Sequence, residues 1–509
     1  MIEENKSSMK NSVRRIIIAG IGVLIQIIWV VVLVMRLNQY SQIITLLTVA
    51  IELVLVLAVY SMDTNAAFKL PWIILITVAP IVGICVFFLF GRSGATKKVR
   101  ARYRKIDQQL FAYLNQDEQI IEELSKKDER LANDFKYLWK CASSPVYKNT
   151  DVKYYGDTCD AMAAQLEDMM QAKKFIFLEY HAIEMAESFQ ALRKVLMAKA
   201  REGVEIRILY DDAGCIGFLN PRFIKYMESM GIQCRVFNPI MPVLNIFMNN
   251  RDHRKITVID GKVAYTGGYN LADEYFNITH PYGQWKDSGI RFEGDAVQTA
   301  TILFLEMWNA LREQDVDIEK YLPVYPYKAK EQGFFALYGD SPLDKEPAGE
   351  NVYMNLLRHA KKYIYFTTPY LILSDEMTRE LTGAAKRGVD VRIITPGIPD
   401  KKTIFQVTKS YYPQLLKHGV KIYEYTPGFM HEKQCICDGE IVVVGTINLD
   451  FRSLYLHFEN AALFCGYEAV SHVKEDFDAL FPICKDMSKE PSERTRRLRL
   501  SQLILRLFS

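Results

Sequence analysis

The sequence carries little net charge of either sign. Its 63 basic and 60 acidic side chains leave a formal charge of +3 over 509 residues. A balance this close to neutral argues against a protein that binds nucleic acid through general positive charge. The length is more than one ordinary domain needs and suggests two or three.

Cysteine pairs and a secretory signal are also lacking. The nine cysteines are odd in number and form no Cys-x-x-Cys motif, which argues against a disulfide framework or a cysteine metal site and fits a reduced, cytosolic setting. No segment resembles a signal-peptide cleavage site followed by a soluble protein. Apolar segments near the start are therefore predicted to be retained as membrane anchors.

Three apolar runs lie near the amino terminus, at residues 16–35, 43–60 and 70–90. The first is long enough to span the ~30 Å hydrocarbon layer of a membrane. We predict that residues 1–92 form a membrane anchor with two or three transmembrane helices. Basic residues are more numerous after the third run than before the first, so the positive-inside rule predicts that the rest of the chain lies on the cytosolic face of the cell membrane.

One polar pattern occurs twice, at residues 253–270 and 431–448. Histidine, lysine, aspartate, glycine and asparagine recur at identical spacing, while nearly all residues between them change. Fixed polar positions on a varying apolar background indicate chemistry. The repeated polar residues are His253, Lys255, Asp260 and Asn270 in the first copy and His431, Lys433, Asp438 and Asn448 in the second.

Each copy of the pattern predicts a β-hairpin. Asp260-Gly261 and Asp438-Gly439 are dipeptides favoured in two-residue turns, where both residues need positive φ. These aspartates are expected to hold the turn rather than to touch a substrate. Counting back from the turns places a small residue opposite each histidine, which leaves room for a substrate. The predicted pairs are Lys255 with Thr266, His253 with Gly268, Lys433 with Val444 and His431 with Thr446.

Two histidines accompanied by lysines and asparagines suit one class of reaction. A neutral histidine can attack phosphorus, a second can protonate the leaving alkoxide, and the lysines and asparagines can neutralise the phosphoryl oxygens. This chemistry needs neither a metal nor a cofactor, and we expect none.

The repeated pattern resembles the His-x-Lys-x4-Asp (HKD) motif of the phospholipase D superfamily. The sequence Asn448-Leu-Asp-Phe-Arg-Ser-Leu with Phe458-Glu459-Asn460 looks like that of bacterial cardiolipin synthases. The resemblance implies an α/β fold with two phospholipase D-like lobes, each a mixed sheet flanked by helices. It also implies a phosphatidyltransferase that converts two phosphatidylglycerol molecules into cardiolipin and glycerol through a phosphohistidine.

The resemblance further implies roles for single residues. His253 would attack the phosphate while His431 protonates the leaving glycerol, and Asn270 and Asn448 would hold phosphoryl oxygens. Asp260 and Asp438 belong to the catalytic motifs of the family. A carboxylate downstream of each motif would orient the histidine of its own half, and we assign Asp287 and Glu459 to this role.

Other internal similarities mark the two halves. Residues 173–178 match 361–366, and 201–209 match 387–394, each pair consistent with strand and helix units. We predict a helical connector at 93–140, a first lobe at 141–320, a linker rich in proline and glycine at 321–350, and a second lobe at 351–509. The second lobe would end in a basic amphipathic tail suited to anionic lipids or to packing on the lobe. Residues 238–248 form an apolar loop, either buried or at an acyl-chain entrance.

Three other functions are alternatives to this one. The protein could be a phospholipase D that transfers the phosphatidyl group to water or to another alcohol. A membrane-tethered nuclease is a further alternative, against which the near-neutral charge and the apolar runs argue. A non-catalytic membrane scaffold would leave the duplicated polar residues without a purpose. Phosphatidylglycerol and anionic membrane lipids are therefore the expected partners, and nucleic acid is not.

Overall fold

A computed structural model describes residues 42–88, 97–219, 222–239, 249–312, 314–490 and 500–507, together with some positions between 21 and 36. Most of the first apolar run, residues 240–248 of the apolar loop and residues 491–499 of the basic tail lie outside the described residues.

The helices are distributed along the whole described chain. In order they are α1 (Gln42–Tyr60), α2 (Ala66–Val78), α3 (Pro80–Val86), α4 (Lys97–Leu110), α5 (Glu118–Lys127), α6 (Glu129–Ala142), α7 (Thr158–Met170), α8 (Glu187–Arg201), α9 (Phe223–Glu228), α10 (Val297–Leu311), α11 (Ala348–His359), α12 (Asp375–Lys386), α13 (Lys402–Lys417), α14 (Phe451–Tyr455), α15 (Ala469–Leu480) and α16 (Leu500–Leu507).

The strands begin after the connector. In order they are β1 (Thr150–Tyr155), β2 (Phe175–Tyr180), β3 (Glu205–Asp211), β4 (Gln233–Phe237), β5 (Arg251–Asp252), β6 (Lys255–Ile259), β7 (Val263–Gly267), β8 (Gln284–Lys286), β9 (Gly289–Gly294), β10 (Phe334–Asp340), β11 (Tyr363–Thr367), β12 (Leu371–Ile372), β13 (Asp390–Pro396), β14 (Lys421–Tyr425), β15 (Gly428–Met430), β16 (Gln434–Cys437), β17 (Ile441–Gly445), β18 (Leu449–Asp450), β19 (His457–Cys465) and β20 (Cys484–Asp486).

Two mixed sheets form the framework, as the duplicated sequence predicts. The first has the order β1-β9-β7-β6-β2-β3-β4, and the second repeats it as β10-β19-β17-β16-β11-β13-β14 with β20 added at the edge. Strands β2, β3 and β4 of the first sheet run parallel, as do β11, β13 and β14 of the second. In each sheet the hairpin that carries the polar motif runs antiparallel beside them. The two halves therefore share one topology.

The hairpins differ from the predicted register by one residue. Thr266 pairs with Ile256 instead of Lys255, and Val444 pairs with Gln434 instead of Lys433. Asp260 and Gly261 have the positive φ that the turn requires, 54° and 66°. A third residue, Lys262, stays unpaired between Ile259 and Val263. This extra residue shifts every pair along the hairpin, so the predicted partners of both histidines are wrong.

The two sheets share a hydrophobic core. Ile256 and Phe292 of the first sheet and Val444 and Phe464 of the second are fully buried in one cluster, together with most of α10. Each sheet buries its other face in a cluster of its own, against the flanking helices. Because both faces are covered, the motif strands contain few exposed side chains.

The predicted connector (93–140) and linker (321–350) both pack into the two-sheet fold. Helix α4 places Tyr103 and Ile106 in the shared core, and α6 packs against β10 and α11. The predicted linker at 321–350 is wrong over residues 334–340, which form β10 at the edge of the second sheet. Its apolar run from Phe334 to Tyr338 pairs with β19 and is buried, which outweighs the nearby prolines and glycines.

Helices α1, α2 and α3 pack against one another at the front of the chain. Within the described residues, no helix combines the length and the apolar character that crossing a membrane would require. The turn between α1 and α2 contacts the second lobe, where the Asn65 amide donates a hydrogen bond to the Tyr455 hydroxyl at 3.1 Å.

Candidate active site

Each motif histidine is held by a strand of the opposite lobe. Strand β5, just before His253, runs parallel to the start of β19, and β15, just before His431, runs parallel to β8. The backbone N–H of His253 donates to the Phe458 carbonyl at 2.9 Å, and that of His431 donates to the Lys286 carbonyl at 2.8 Å. The two lobes are therefore joined at the histidines themselves.

The orienting carboxylates are exchanged between the lobes. Nδ1 of His253 lies 2.8 Å from Oε2 of Glu459, and Nδ1 of His431 lies 2.5 Å from Oδ2 of Asp287. The prediction that each carboxylate serves the histidine of its own half is therefore wrong, although both residues were identified. Glu459 and Asp287 directly follow the strand residues that bind the histidine backbones, which fixes this crossed pairing.

Both imidazoles are buried and lie in one site. His253 is 8% exposed and His431 is 7% exposed. Burial lowers the pKa of each well below the usual value, and the neighbouring lysines lower it further. The charge of His431 is among the causes acting on His253, so the two rings are close enough to interact electrostatically. Both imidazoles are consequently neutral near pH 7.

The two motif lysines are buried beside the histidines. Nζ of Lys255 donates to the His253 carbonyl at 2.7 Å, and Nζ of Lys433 donates to the His431 carbonyl and lies 2.8 Å from Nδ1 of that ring. Burial lowers the pKa of Lys255 to about 8 and that of Lys433 to about 7. Their charge therefore depends on pH near neutrality.

The motif aspartates hold the hairpin turns. The Asp260 carboxylate accepts hydrogen bonds from the backbone N–H groups of residues 173, 174 and 175 at 2.7, 2.7 and 2.9 Å. Asp438 does the same with residues 361, 362 and 363 at 2.8, 2.7 and 2.9 Å. Each lies at the far end of a strand, five residues or roughly 16 Å from its lysine. The predicted structural role is confirmed.

The two carboxylates that contact the histidines have different surroundings. Glu459 also accepts hydrogen bonds from the hydroxyls of Thr446 and Ser453, the latter at 2.6 Å. The residue that corresponds to Thr446 in the first motif is Gly268, where an added Cβ would lie 2.1 Å from Asp287. Asp287 accepts from the Ser288 N–H at 3.0 Å, and burial raises its pKa to about 7.

The motif asparagines also differ. The carbonyl oxygen of Asn270 accepts from the Ala182 N–H at 3.1 Å, and its amide donates to the Tyr275 hydroxyl at 2.9 Å. The side-chain oxygen of Asn448 is buried and has no partner among the residues that the structure describes. Of the two asparagines, only Asn448 keeps a side-chain oxygen that accepts no hydrogen bond from the described residues.

Two histidines that the sequence analysis missed flank His253. The rings of His181 and His457 lie 5.0 and 5.6 Å from that of His253. Burial lowers the pKa of both, to about 3 for His457. The alternation His457-Phe458-Glu459 along a strand was a usable signal, because it places His457 on the same side as Glu459.

One group of side chains in the described part of the chain has metal-site spacing. Ligand atoms of His253, His457 and Glu459 all lie within 4.8 Å of one another. A metal bound there would compete with the hydrogen bond between His253 and Glu459. The cysteines do not contribute to this group. All nine lie in the described part of the chain and are free thiols.

Known proteins share both the sequence and the fold. The family described as "Cardiolipin synthase, PLD-like domain" matches residues 166–308 and 353–481, which contain both motifs. A Streptococcus mutans protein without an assigned function is 40% identical over 88% of this chain and 95% of its own length. A cardiolipin synthase of Halalkalibacterium halodurans is 32% identical over 86% of this chain and 87% of its own.

A further relative and a solved structure agree with this assignment. Cardiolipin synthase 2 of Bacillus anthracis is 31% identical over 83% of this chain and 81% of its own. The crystal structure of a phosphatidylserine synthase from Haemophilus influenzae superposes with a TM-score of 0.54 over 70% of this chain and 92% of its own, at 14% identity, and so shares the fold. With its two crossed histidine–carboxylate pairs, a matching family model and relatives over most of its length, this chain belongs to the cardiolipin synthase family of phospholipase D-like proteins.

Proposed function

We propose that the protein transfers a phosphatidyl group from one phosphatidylglycerol molecule to another, which yields cardiolipin and glycerol. The observation that carries this proposal is the pair of buried histidines held in one site by carboxylates of opposite lobes. His253 is neutral and can attack, and His431 lies beside a carboxylate that stabilises its protonated form. Two such imidazoles supply the nucleophile and the proton donor that a double displacement at phosphorus needs.

His253 is the proposed nucleophile. Its Nδ1 faces the Glu459 carboxylate, which can only accept a hydrogen bond, so Nε2 carries the lone pair that attacks phosphorus. Attack forms a P–N bond and makes the imidazole cationic. Glu459 stabilises this cation, and the hydroxyls of Thr446 and Ser453 donate hydrogen bonds to the same carboxylate.

His431 is the proposed general acid and base. In the first step the P–O bond to the glycerol head group breaks. His431, which takes up a proton when the anionic phosphodiester binds and is stabilised as a cation by Asp287, gives that proton to the departing oxygen, so that glycerol leaves. In the second step His431 removes the proton from a hydroxyl of the second phosphatidylglycerol. That oxygen attacks phosphorus, the P–N bond breaks, and His253 is restored. Asp287, with its pKa near 7, suits a pair that exchanges protons near neutrality.

The two lysines are proposed to stabilise the phosphoryl group. Lys255 and Lys433 lie within electrostatic range of both histidines and carry the positive charge of the site. In a buried site such charges act strongly on the negative charge that develops on the phosphoryl oxygens in the transition state. Asn448 is proposed to complete the contacts to the phosphate or to a head-group hydroxyl.

We also propose that residues 1–92 associate with the cell membrane and that the catalytic lobes lie on its cytosolic face. Helix α1 supports this because it leaves large apolar side chains exposed, which are stabilised in lipid and not in water. These side chains are Ile43, Leu46, Leu47, Val49, Ile51, Leu53, Val54 and Leu57. Labelling of a reporter fused after the lobes, in intact and in permeabilised cells, tests the orientation.

The test of function follows the lipid products of the full-length protein reconstituted with phosphatidylglycerol. We expect cardiolipin and glycerol in equal amounts, and we expect His253→Ala and His431→Ala to lower the rate by at least about 10³-fold because each removes a reacting group. His472→Ala, at an exposed position of α15, is the matched control and should keep full activity. Phosphatidic acid without cardiolipin, or full activity of His253→Ala, would contradict the proposal.

A further inference from the structure

The fifth residue after each motif asparagine breaks the symmetry of the two halves. In the second half it is Ser453, whose hydroxyl donates to Glu459 at 2.6 Å. In the first half it is Tyr275, whose hydroxyl accepts a hydrogen bond from the Asn270 amide at 2.9 Å. No residue in the described ranges accepts the hydrogen of the Tyr275 hydroxyl. This O–H group is therefore a donor without an acceptor inside the site.

Tyr275 lies between groups of both motifs. Its ring is edge-on to His431, with centroids 5.2 Å apart and an interplanar angle of 85°, and lies 4.5 Å from Trp285. The side chain is 8% exposed, and burial raises its pKa above the usual value, so the hydroxyl keeps its proton. A buried O–H without an acceptor loses free energy unless water or a ligand accepts its hydrogen.

Asn270 is arranged to serve this tyrosine. Its carbonyl oxygen is occupied by the Ala182 N–H, which fixes the amide plane and directs the NH2 group at the Tyr275 oxygen. Because that oxygen accepts a hydrogen bond from Asn270, the tyrosine O–H is polarised and becomes a better donor. Asn270 thus acts through Tyr275 and is a positioning residue.

We propose that Tyr275 contacts the substrate and donates its O–H to a non-bridging oxygen of the phosphodiester, on the side of His431. The proposal rests on the proposed function, because it assigns a contact to the phosphate that His253 attacks. A neutral donor in this position stabilises the charge that develops on the phosphoryl oxygen. It adds to the lysines without depending on their protonation.

The decisive substitution is Tyr275→Phe, which keeps the ring against His431 and Trp285 and removes only the hydroxyl. Removal of one such donor from a buried site typically lowers kcat by about 10² to 10³-fold, and we expect a loss of this size with KM within about threefold of its starting value. Asn270→Asp should lose activity similarly. Its carboxylate would accept the hydrogen bond of the Tyr275 hydroxyl, which could then no longer donate to the substrate.

The matched control is Tyr269→Phe. The Tyr269 hydroxyl is also buried in the first lobe, but it donates to Gln165 at 3.0 Å, within the protein. We expect this variant to keep kcat within about twofold, so that a loss specific to Tyr275 cannot be ascribed to a missing buried hydroxyl. Thermal unfolding of each variant shows whether it is folded.

A second measurement detects the contact itself. Phosphatidylglycerol with sulfur in place of one non-bridging oxygen accepts a hydrogen bond weakly, so the wild-type enzyme should slow on one diastereomer, and Tyr275→Phe should show a smaller slowing. Wild-type kcat in folded Tyr275→Phe, or an unchanged sulfur effect, would overturn the inference while cardiolipin synthesis by the wild type still supports the proposed function. A wild type that makes no cardiolipin would overturn both.

Discussion

At the scale of single residues, the two histidine–carboxylate pairs are built from equivalent motifs but are not equivalent. Glu459 receives two hydroxyl donors besides His253, whereas Gly268 leaves Asp287 without the donor that Thr446 supplies to Glu459. The difference comes from two pairs of corresponding positions, Thr446 against Gly268 and Ser453 against Tyr275. It gives a physical reason for assigning different roles to His253 and His431.

The activity should depend on pH with a maximum near neutrality. Burial raises the pKa of Asp287 to about 7, so falling pH protonates this carboxyl, and it no longer stabilises a cationic His431. Burial lowers the pKa of Lys433 to about 7 and that of Lys255 to about 8, so rising pH removes first one and then the other positive charge from the phosphoryl site. The rate should therefore fall on both sides, as measured by kcat/KM against pH.

Two variants test which group causes the fall in rate on each side of the pH profile. Asp287→Asn should lower kcat by about 10³ to 10⁴-fold and abolish the acid limb, because an amide neither titrates nor holds the same tautomer. Lys433→Arg keeps its charge at high pH and should move the alkaline side of the profile upward, to the pH at which Lys255 loses its proton. An acid limb that persists unchanged in Asp287→Asn would show that another group causes it.

At the scale of elements, the hairpins bring the histidines into place. Their turns are fixed by Asp260 and Asp438, each of which accepts three backbone hydrogen bonds from the start of the neighbouring strand. Both aspartates have φ of 54°, a conformation that asparagine tolerates well. These residues thus belong to the motif for structural reasons, at a distance from the reacting groups.

Asp260→Asn should therefore reduce stability while leaving chemistry intact. The amide presents one acceptor oxygen in place of two, so at least one of the three backbone N–H groups loses its partner, which at a partly exposed turn costs about 1 kcal/mol. We expect a lower free energy of unfolding in denaturant titrations and an unchanged kcat per folded molecule. Asp438→Asn should behave alike, and a large loss of kcat in either folded variant would restore a catalytic role.

At the scale of the whole molecule, neither lobe contains a complete site. Each histidine depends on a carboxylate of the other lobe, and Arg254 of the first lobe donates to the backbone carbonyl of Glu459 in the second. Lys286 of the first lobe lies 2.8 Å from both Glu432 and Asp476 of the second. With a shared hydrophobic core as well, the lobes should fold as one cooperative unit.

Calorimetry of the full chain should show one unfolding transition for both lobes. Lys286→Met leaves two carboxylates at the lobe interface without their cation, a change that typically costs about 3–5 kcal/mol, and should lower the temperature of that single transition. The control is Lys320→Met at an exposed pair with Glu205 within the first lobe, where the expected cost is at most about 1 kcal/mol. Two separate transitions would contradict the shared core.

The sequence alone determined the chemistry and the repeated topology. The spacing of His253, Lys255 and Asp260 recurs in the second half because one supersecondary unit is used twice. Turn propensity and strand alternation can be predicted from the sequence because they depend on residues close together along the chain. Glu459 and Asp287 were identified as well, although the histidine that each serves was not.

Only the tertiary structure decided how these units combine. Glu459 is 206 residues from His253 along the chain, and no local sequence pattern predicts that β5 and β19 pair. The same holds for Tyr275, whose importance depends on His431 packing against it, and for Lys262, whose unpaired position depends on how the strands close. Pairing across lobes is selected by the shared core and the lobe interface, which are properties of the folded chain as a whole.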